Sequence, residues 1–586
     1  MKPNRFMLAL AALCFASGGA SAQQTDGKSV APKTYKAYMV SDAHLDTQWN
    51  WDVQTTIREY IPRTLFQNLY LMERFPDYRF SFEGGVVYSW MKEYYPMHYE
   101  RMKKYIASGQ WHIAGASWDA NDPNMPSAES FFRNILLGQE FYKKEFGVRS
   151  TDIFLPDCFG FGYTLPTIAA HSGLIGMSTQ KLSWRNHDFY DAPYHKKNPF
   201  SWGVWYGIDG SSVIAAFDTG GYNSELPENV QYNERLMERA AHGYDNTCFR
   251  YYAGGGEGVG DKGNSGTVTT CRRLTKAIND PNAPIEIISA TSDDLFKAYL
   301  GRKAELPSFD GELLMDVHAT GCYTSQTAMK YYNRRNEELT GAAERASVAA
   351  DWLGALAYDQ RKLTEIWQRF IWHQFHDDLT GTSIPEAYTW SWNDELIALR
   401  QGGDVMNSAV GALSYSLDTR VKGTPVVVYN AVTYPVKAVV EAEIPLAAKA
   451  KGVAVYGPDG RRVAAQILSR EGDKAVIAFA ADVKSVGYAV YDVRPASPAK
   501  SSALKVDGNT IENGVYKLTL DRNGDIASLV DKRYGRELVE QGKAFRLAIF
   551  EGNPSNEWPA WEVLKEVVDK TPRAVTDNVS VSVGEE

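Results

Sequence analysis

A chain of 586 residues that is 44% apolar, 23% charged and 12% aromatic is too long for a single hydrophobic core and too apolar to be disordered. Lys and Arg number 62 against 71 Asp and Glu, and the resulting net charge of −9 makes nucleic acid a poor partner. The 15 Trp and 34 Tyr supply flat amphipathic surface, most of it core, of the kind a carbohydrate ligand also uses.

The apolar run from Phe6 to Ala16 follows Lys2 and Arg5 and is too short to span a bilayer. With the small residues Ala20, Ser21 and Ala22 behind it, it reads as a signal peptide over residues 1–22, so the protein is expected in the periplasm or outside the cell, with no membrane span. Cys14 leaves with that signal. The remaining Cys158, Cys248, Cys271 and Cys322 form no Cys-x-x-Cys pair, which disfavours thiolate-held zinc and leaves disulfide pairing open.

Residues 36–290 alternate short apolar strands with amphipathic stretches, as an α/β layer fold requires. Strands are predicted at 37–40, 152–155 and 213–217, and helices at 56–72 and 129–146, the second behind Pro126 and Ser127. A helical domain is expected over 291–410, where helix formers take over from about Glu338. Leu363, Ile366, Trp367, Phe370, Ile371 and Phe375 share one buried face, and Ser383, Pro385 and Glu386 read as a capped start for a following helix. A bundle of about three helices is the economical reading. A β domain is expected over 411–586: near Gly423 the period becomes two, with strands at 426–429, 475–479, 487–493 and 515–520 and turns at Asp459-Gly460 and Asn523-Gly524, which predicts a β-sandwich. Val579, Val581 and Val583 still alternate at the end, so the sandwich is expected to be incomplete within this chain.

Four places carry candidate chemistry. His44 and Asp46, two apart on extended backbone, project to the same side and can meet one cation, with Trp49 and Trp51 beside them to line a sugar pocket. A histidine at a strand end is also commonly just hydrogen-bonded. Asp157 leaves a strand between large apolar residues, where a carboxylate must be paired, liganded or raised in pKa, although Asp followed by a turn is an ordinary strand exit. Gly258, Gly260 and Gly263 satisfy a dinucleotide pattern but lead into Asn264, Ser265 and Gly266 rather than a helix, so a loop carrying an acid, Asp261 or Glu257, competes with a bare surface loop. Finally, His373, His376, Asp377 and Asp378 crowd the end of an apolar-faced helix, where they need partners or stand as a polar helix end. Together these sets suggest metal-assisted hydrolysis with two carboxylates in different roles.

These segments resemble the glycoside hydrolase family 38 α-mannosidases from about residue 36 onward. The resemblance rests on His44-Leu45-Asp46 with Trp49, on Pro126, Ser127, Gly138 and Gln139, and on Leu155-Pro156-Asp157-Cys158-Phe159-Gly160. It continues through residues 179–184, 202–210, 258–267, Tyr323-Thr324-Ser325-Gln326 and 375–382. It implies a seven-stranded α/β catalytic domain, a three-helix bundle and a partial β-sandwich region. It also implies a retaining, exo-acting α-mannosidase that hydrolyses mannose-containing glycans with one zinc ion (Zn2+). By the same resemblance His44, Asp46, Asp157 and His376 ligate the metal, and Asp157 doubles as the nucleophile of a covalent mannosyl-aspartate. Asp261 is then the acid/base, with Glu257 as competitor, and Trp49 and Asp377 contact substrate. Lys262-Gly263-Asn264-Ser265 stands where family members often carry more glycines, Phe375 replaces the first of the family's paired histidines, and His318 takes no role. The family usually continues past residue 586, so a truncated product or a short member is expected.

Two rivals remain at this stage. A metal-dependent polysaccharide deacetylase would want a His-x-x-x-His pair, and none of the ten histidines is so spaced. A secreted, non-catalytic mannose-binding protein would keep the aromatics without needing the metal set.

Overall fold

The computed structural model describes residues 33–182, 198–253, 261–315, 318–497, 504–552 and 559–582; the signal-like segment 1–22, Glu257 and Val583 lie outside the described residues. The apolar strand Tyr35–Ser41 lies between two parallel neighbours, Thr247–Tyr252 and Ile285–Ala290. A second parallel pair, Phe80–Phe82 with Trp111–Ile113, follows it through a bridge between Asp42 and Ser81. A five-stranded sheet comes next, in the order Ser308–Asp310, Trp202–Tyr206, Ser212–Ala216, Gly176–Ser178 and Asp152–Phe154. It is parallel except for the Trp202–Tyr206/Ser212–Ala216 hairpin. The ladders thus divide into separate sheets where one seven-stranded sheet was expected. Because Ser308–Asp310 pairs with Trp202–Tyr206, the α/β part also runs past the expected boundary at 290.

Two helices set the position of the strand ends. The helix expected over 56–72 is a π-helical turn, Thr56–Tyr60, followed by the α-helix Ile61–Met72. The helical backbone runs on unbroken between them, and Pro62, which lacks the N–H that would bond to residue 58, accounts for the π turn before it. The helix Ala128–Phe146 starts as predicted, its Ser127 hydroxyl accepting from the Ser130 N–H at 3.2 Å, and stops at Gly147 in the left-handed conformation. Midway along it Gly138 lies directly against backbone. A Cβ there would sit 2.3 Å from the Ala116 carbonyl oxygen and 2.4 Å from the Ser117 carbonyl carbon, so only glycine lets the helix approach the segment 116–120.

The helices Thr327–Trp352, Gln360–Trp372 and Pro385–Tyr415 pack against one another. Leu363, Ile366, Trp367, Phe370 and Ile371 are buried as their spacing predicts, and all but Leu363 join the core of the α/β part. Phe375 is buried as well, but in the turn beyond that helix. The predicted capped start at Ser383 is not formed: Ile384 is the N-cap, with no side-chain capping bond, and the Ser383 hydroxyl donates to the Asp377 carbonyl at 3.0 Å. Capping is given up so that the loop before the helix stays tied to residue 377.

Beyond the bundle, one sheet of strands Thr424–Asn430, Gly487–Ala496, Gly452–Tyr456 and Arg462–Val463 faces another of Val436–Pro445, Lys474–Val483 and Ala465–Glu471. Val455, Ile477, Phe479 and Tyr491 fill the space between them. This sandwich spans only part of the predicted 411–586. A separate five-stranded antiparallel sheet follows, from Lys505–Asp507 to Arg536–Glu537, and residues 579–582 are irregular rather than a strand. The segment 559–562 returns to the α/β part, where the Trp561 carbonyl accepts from the Gly321 N–H at 2.8 Å. Cys158, Cys248, Cys271 and Cys322 are buried free thiols. Among the described residues no helix is long and apolar enough to cross a membrane.

The Gly138 contact generates a direct test. Gly138→Ala should destabilise the fold by about 1–3 kcal/mol, as overpacking against backbone does. A calorimetric melting temperature equal to that of the parent would show that the helix does not approach so closely.

Candidate metal centre and active site

His44 and Asp46 lie just past the carboxyl end of strand Tyr35–Ser41 on backbone that pairs with the glycine loop. The Asp46 N–H donates to the Asp261 carbonyl at 3.0 Å, the Gly263 N–H donates to the His44 carbonyl at 2.8 Å, and Leu45 stands opposite Lys262. The extended pairing puts the His44, Asp46 and Asp261 side chains around one centre. Gly263 is required for it, since its φ is +71° and a Cβ would lie 2.2 Å from Thr64 Oγ1. The Thr64 hydroxyl in turn donates to the Gly263 carbonyl at 2.6 Å.

Asp157 enters from the end of strand Asp152–Phe154, and His376 from the turn after helix Gln360–Trp372. The His376 N–H donates to the Ala120 carbonyl at 3.2 Å, and its Nδ1 lies 3.1 Å from the same oxygen. A carbonyl can only accept, so Nδ1 carries the proton and Nε2 turns a lone pair inward. That lone pair faces Asp46 Oδ1 at 3.5 Å and Asp377 Oδ2 at 3.7 Å, which are acceptors too. His44 Nε2 lies 2.8 Å from Asp46 Oδ1, and its Nδ1 lies 3.5 Å from Glu83 Oε1. Among the described residues His376 Nε2 is buried with no hydrogen-bond partner, and the two His44 nitrogens meet only the Asp46 and Glu83 carboxylates.

Lone pairs that converge in a buried space need a positive charge between them. One ligand atom each from His44, Asp157 and His376 lie within 4.8 Å of one another, as do those of His44, Asp46 and Asp261 and those of Asp46, His376 and Asp377. This set of nitrogen and carboxylate donors suits a transition-metal cation.

The two central carboxylates are driven apart electrostatically. Burial alone would raise Asp157, but the charges of Lys181 first and then His44 outweigh it and hold the carboxyl below its usual range. Lys181 Nζ donates to Asp157 Oδ1 at 2.8 Å, and Gln180 Nε2 donates to the same oxygen at 3.2 Å. Asp261 is raised instead, first by burial and then by the charge of Asp157, although the Tyr222 hydroxyl donates to its Oδ1. Burial likewise carries Asp46 up to about 7 against the pull of His44, and burial with the neighbouring His44 takes His376 down to about 3, leaving that ring neutral.

The structure therefore gathers His44, Asp46, Asp157, Asp261, His376 and Asp377 into one cluster, with Asp377 Oδ1 accepting from the Thr382 hydroxyl at 2.5 Å. Trp49 stands in the adjoining wall, stacked on Trp561 with ring centroids 6.0 Å apart. His318 is buried edge-on to Trp561 at 5.2 Å. Sequence reasoning missed Glu83, Gln180, Lys181, Tyr222 and Trp561. Gln180 and Lys181 lie inside the family-like segment 179–184, where neither was given a role. Tyr222 and Trp561 reach the centre from loops whose local sequence shows nothing.

With this geometry in place, comparison with known proteins gives the class. The family model described as "Glycosyl hydrolases family 38 N-terminal domain" matches residues 34–312, "Alpha mannosidase middle domain" matches 317–413, and "Glycosyl hydrolases family 38 C-terminal domain" matches 511–586. The chain belongs to glycoside hydrolase family 38. It is similar to Alpha-mannosidase G of Dictyostelium discoideum, 29% identical over 90% of this chain and 49% of the relative. It is also similar to Alpha-mannosidase 2C1 of Homo sapiens, 27% identical over 96% of this chain and 50% of the relative. The chain thus spans about half the length of these curated relatives. The fold is shared with the crystal structure of an alpha-mannosidase from Enterococcus faecalis V583, with a TM-score of 0.68 at 20% identity, covering 86% of this chain and 61% of that one.

A divalent transition ion added to metal-free protein at about a hundred times its dissociation constant should stabilise the fold by about 2.7 kcal/mol. The melting temperature should rise in the parent and not in His376→Ala. A parent insensitive to the ion would refute the centre.

Proposed function

We propose that the protein is a retaining, exo-acting α-mannosidase, a zinc-dependent glycoside hydrolase that releases terminal α-linked mannose from glycans. The observation that supports this most is the opposed pair Asp157 and Asp261, one carboxyl lowered and the other raised beside the same His44 imidazole, in a chain whose relatives are named alpha-mannosidases. His44, Asp46, Asp157 and His376 would hold Zn2+, which when bound supplies positive charge for the vicinal hydroxyls of a mannose ring.

The residues of the chain then divide the work. Asp157, kept ionised by Lys181, attacks the anomeric carbon as the bond to the leaving oxygen breaks, and Asp261 gives its proton to that oxygen. Water then attacks the anomeric carbon of the mannosyl-aspartate, the Asp261 carboxylate takes its proton, and Asp157 is released, so the configuration is retained. Trp49, in the adjoining wall, and Asp377, within the cluster, would contact the sugar. The signal-like residues 1–22 support export to the periplasm or beyond.

Release of 4-nitrophenol from its α-mannoside, with α-mannose formed first by NMR, tests this reading. Asp157→Asn should abolish turnover. Asp261→Asn should lower the rate on a natural glycan by about 10²–10⁴ while sparing the first step with a good leaving group. Deacetylation of a chitin oligomer, or mannose binding with no turnover, would overturn the proposal.

Tyr222 supplies a pH test. Its hydroxyl donates to the ionised form of Asp261 and so lowers the pKa of that group. Tyr222→Phe removes the donor, the Asp261 pKa rises further, and the alkaline limb of the kcat/KM profile should move to higher pH. A limb that stays or moves down would remove Asp261 from the acid's role.

A further inference from the structure

Behind the cluster lies a second set of buried polar groups that the reaction does not use. The imidazole of His373, at the end of helix Gln360–Trp372, is wholly buried, with Nδ1 2.6 Å from Asp378 Oδ2 and Nε2 3.3 Å from Asp394 Oδ2. Asp378 Oδ2 also accepts from Gln48 Nε2 at 2.9 Å, and Asp378 Oδ1 accepts from the Ser391 hydroxyl at 2.6 Å. Gln48 Nε2 lies 2.6 Å from Ser391 Oγ as well. Asp394 is held from outside by Arg369 at 2.6 Å.

Gln48 stands two residues after Asp46, and Asp378 two residues after His376. Their hydrogen bond joins segments 330 residues apart in sequence, the very segments that carry Asp46 and His376. The chain has other ways to hold each segment singly, since Asp46 pairs with the glycine loop and His376 with Ala120. Between the two segments, this bond, with the Ser383 hydroxyl near the Gln48 carbonyl at 3.5 Å and the Ile384 N–H donating to the Trp49 carbonyl at 2.8 Å, fixes the separation.

We propose that Gln48, Asp378 and His373 form a positioning network that sets the spacing of Asp46 and His376 and thereby the affinity of the centre for its cation. The inference rests on the cation-site reading given above. His373 anchors Asp378 to the bundle, Asp378 presents its carboxylate to Gln48, and Gln48 fixes the turn that follows Asp46. A carboxylate that accepts three such bonds, two on Oδ2 and one on Oδ1, has little freedom to shift. Groups that orient metal ligands at one remove typically account for 10–100-fold in affinity.

The test measures zinc affinity of the purified, metal-stripped chain by competition with a chromophoric chelator, beside melting temperature and helical circular dichroism without metal. In Asp378→Asn and Gln48→Met the zinc dissociation constant should rise by about 10–100-fold. The metal-free spectrum should stay that of the parent, and excess zinc should restore kcat on the 4-nitrophenyl α-mannoside. Recovery by zinc is a readout that a merely structural role does not give. Dissociation constants within twofold of the parent in both variants would overturn the network, as would a loss that excess zinc does not restore. Should Asp378→Asn fail to fold, Gln48→Met, which keeps the chain length and loses only the amide, decides alone. Failure of the parent itself to bind zinc would instead refute the cation site on which the inference stands.

Discussion

The interaction on which the rest of the molecule depends is the one between Lys181 and Asp157 inside a centre almost closed to water. Lys181 is 2% exposed and Asp157 6%, and His44, Asp46, His376 and Asp377 are buried around them. An unpaired ion in such a place costs several kcal/mol, so the fold must deliver every compensating group from a separate element. The strand ends bring His44 and Asp157, the turn after the helix brings His376, and the glycine loop brings Asp261. Even Gly138, which touches none of them, matters here. Its bare Cα lets helix Ala128–Phe146 press on the segment 116–120, and the carbonyl of Ala120 in that segment fixes the tautomer of His376.

That arrangement gives two aspartates opposite characters without any difference in their chemistry. Asp157 is surrounded by donors and positive charge; Asp261 meets burial and the negative field of Asp157, with one phenol to soften it. Divergence of this kind separates a nucleophile from a proton donor in a single cavity. It also explains why Tyr222 sits where it does, since its ring packs against His44 at 4.8 Å while its hydroxyl reaches Asp261. One side chain therefore touches both halves of the centre.

How much of this could be read in the sequence follows from the range of each contact. His44, Asp46, Asp157 and the 373–378 stretch were legible because each breaks a local rule, placing charge at a strand exit or on an apolar helix end. Lys181 and Tyr222 break none, and their importance comes from pairings with Asp157 and Asp261 that only the folded chain creates. The misread elements have the same origin. Ser383 has a capping residue's chemistry but is drawn to the Asp377 carbonyl instead. The seven-stranded domain was implied by the family resemblance alone, because periodicity reports which face is buried, not which neighbour completes the ladder.

The aromatic wall beside the centre shows how far such non-local assembly goes. Trp49, Phe159 and Trp561 pack together from three distant parts of the chain, with Phe159 and Trp561 centroids 5.4 Å apart. Trp561 is held there through its backbone, by the Gly321 N–H at 2.8 Å, and the Ser325 hydroxyl adds a bond to the Ala560 carbonyl at 2.5 Å. A Cβ on Gly321 would lie 3.0 Å from the Trp561 and Glu562 backbone, so the contact is close as well as bonded. Lys181 Nζ lies 4.8 Å from the Phe159 ring and 5.4 Å from that of Trp561, within the range of cation–π attraction. The ammonium that lowers Asp157 is therefore itself placed partly by a tryptophan nearly four hundred residues farther along the chain. The segment after the β region consequently belongs to the electrostatics of the centre, and a change that loosens its hold on Gly321 acts on Asp157 through Lys181 without touching either.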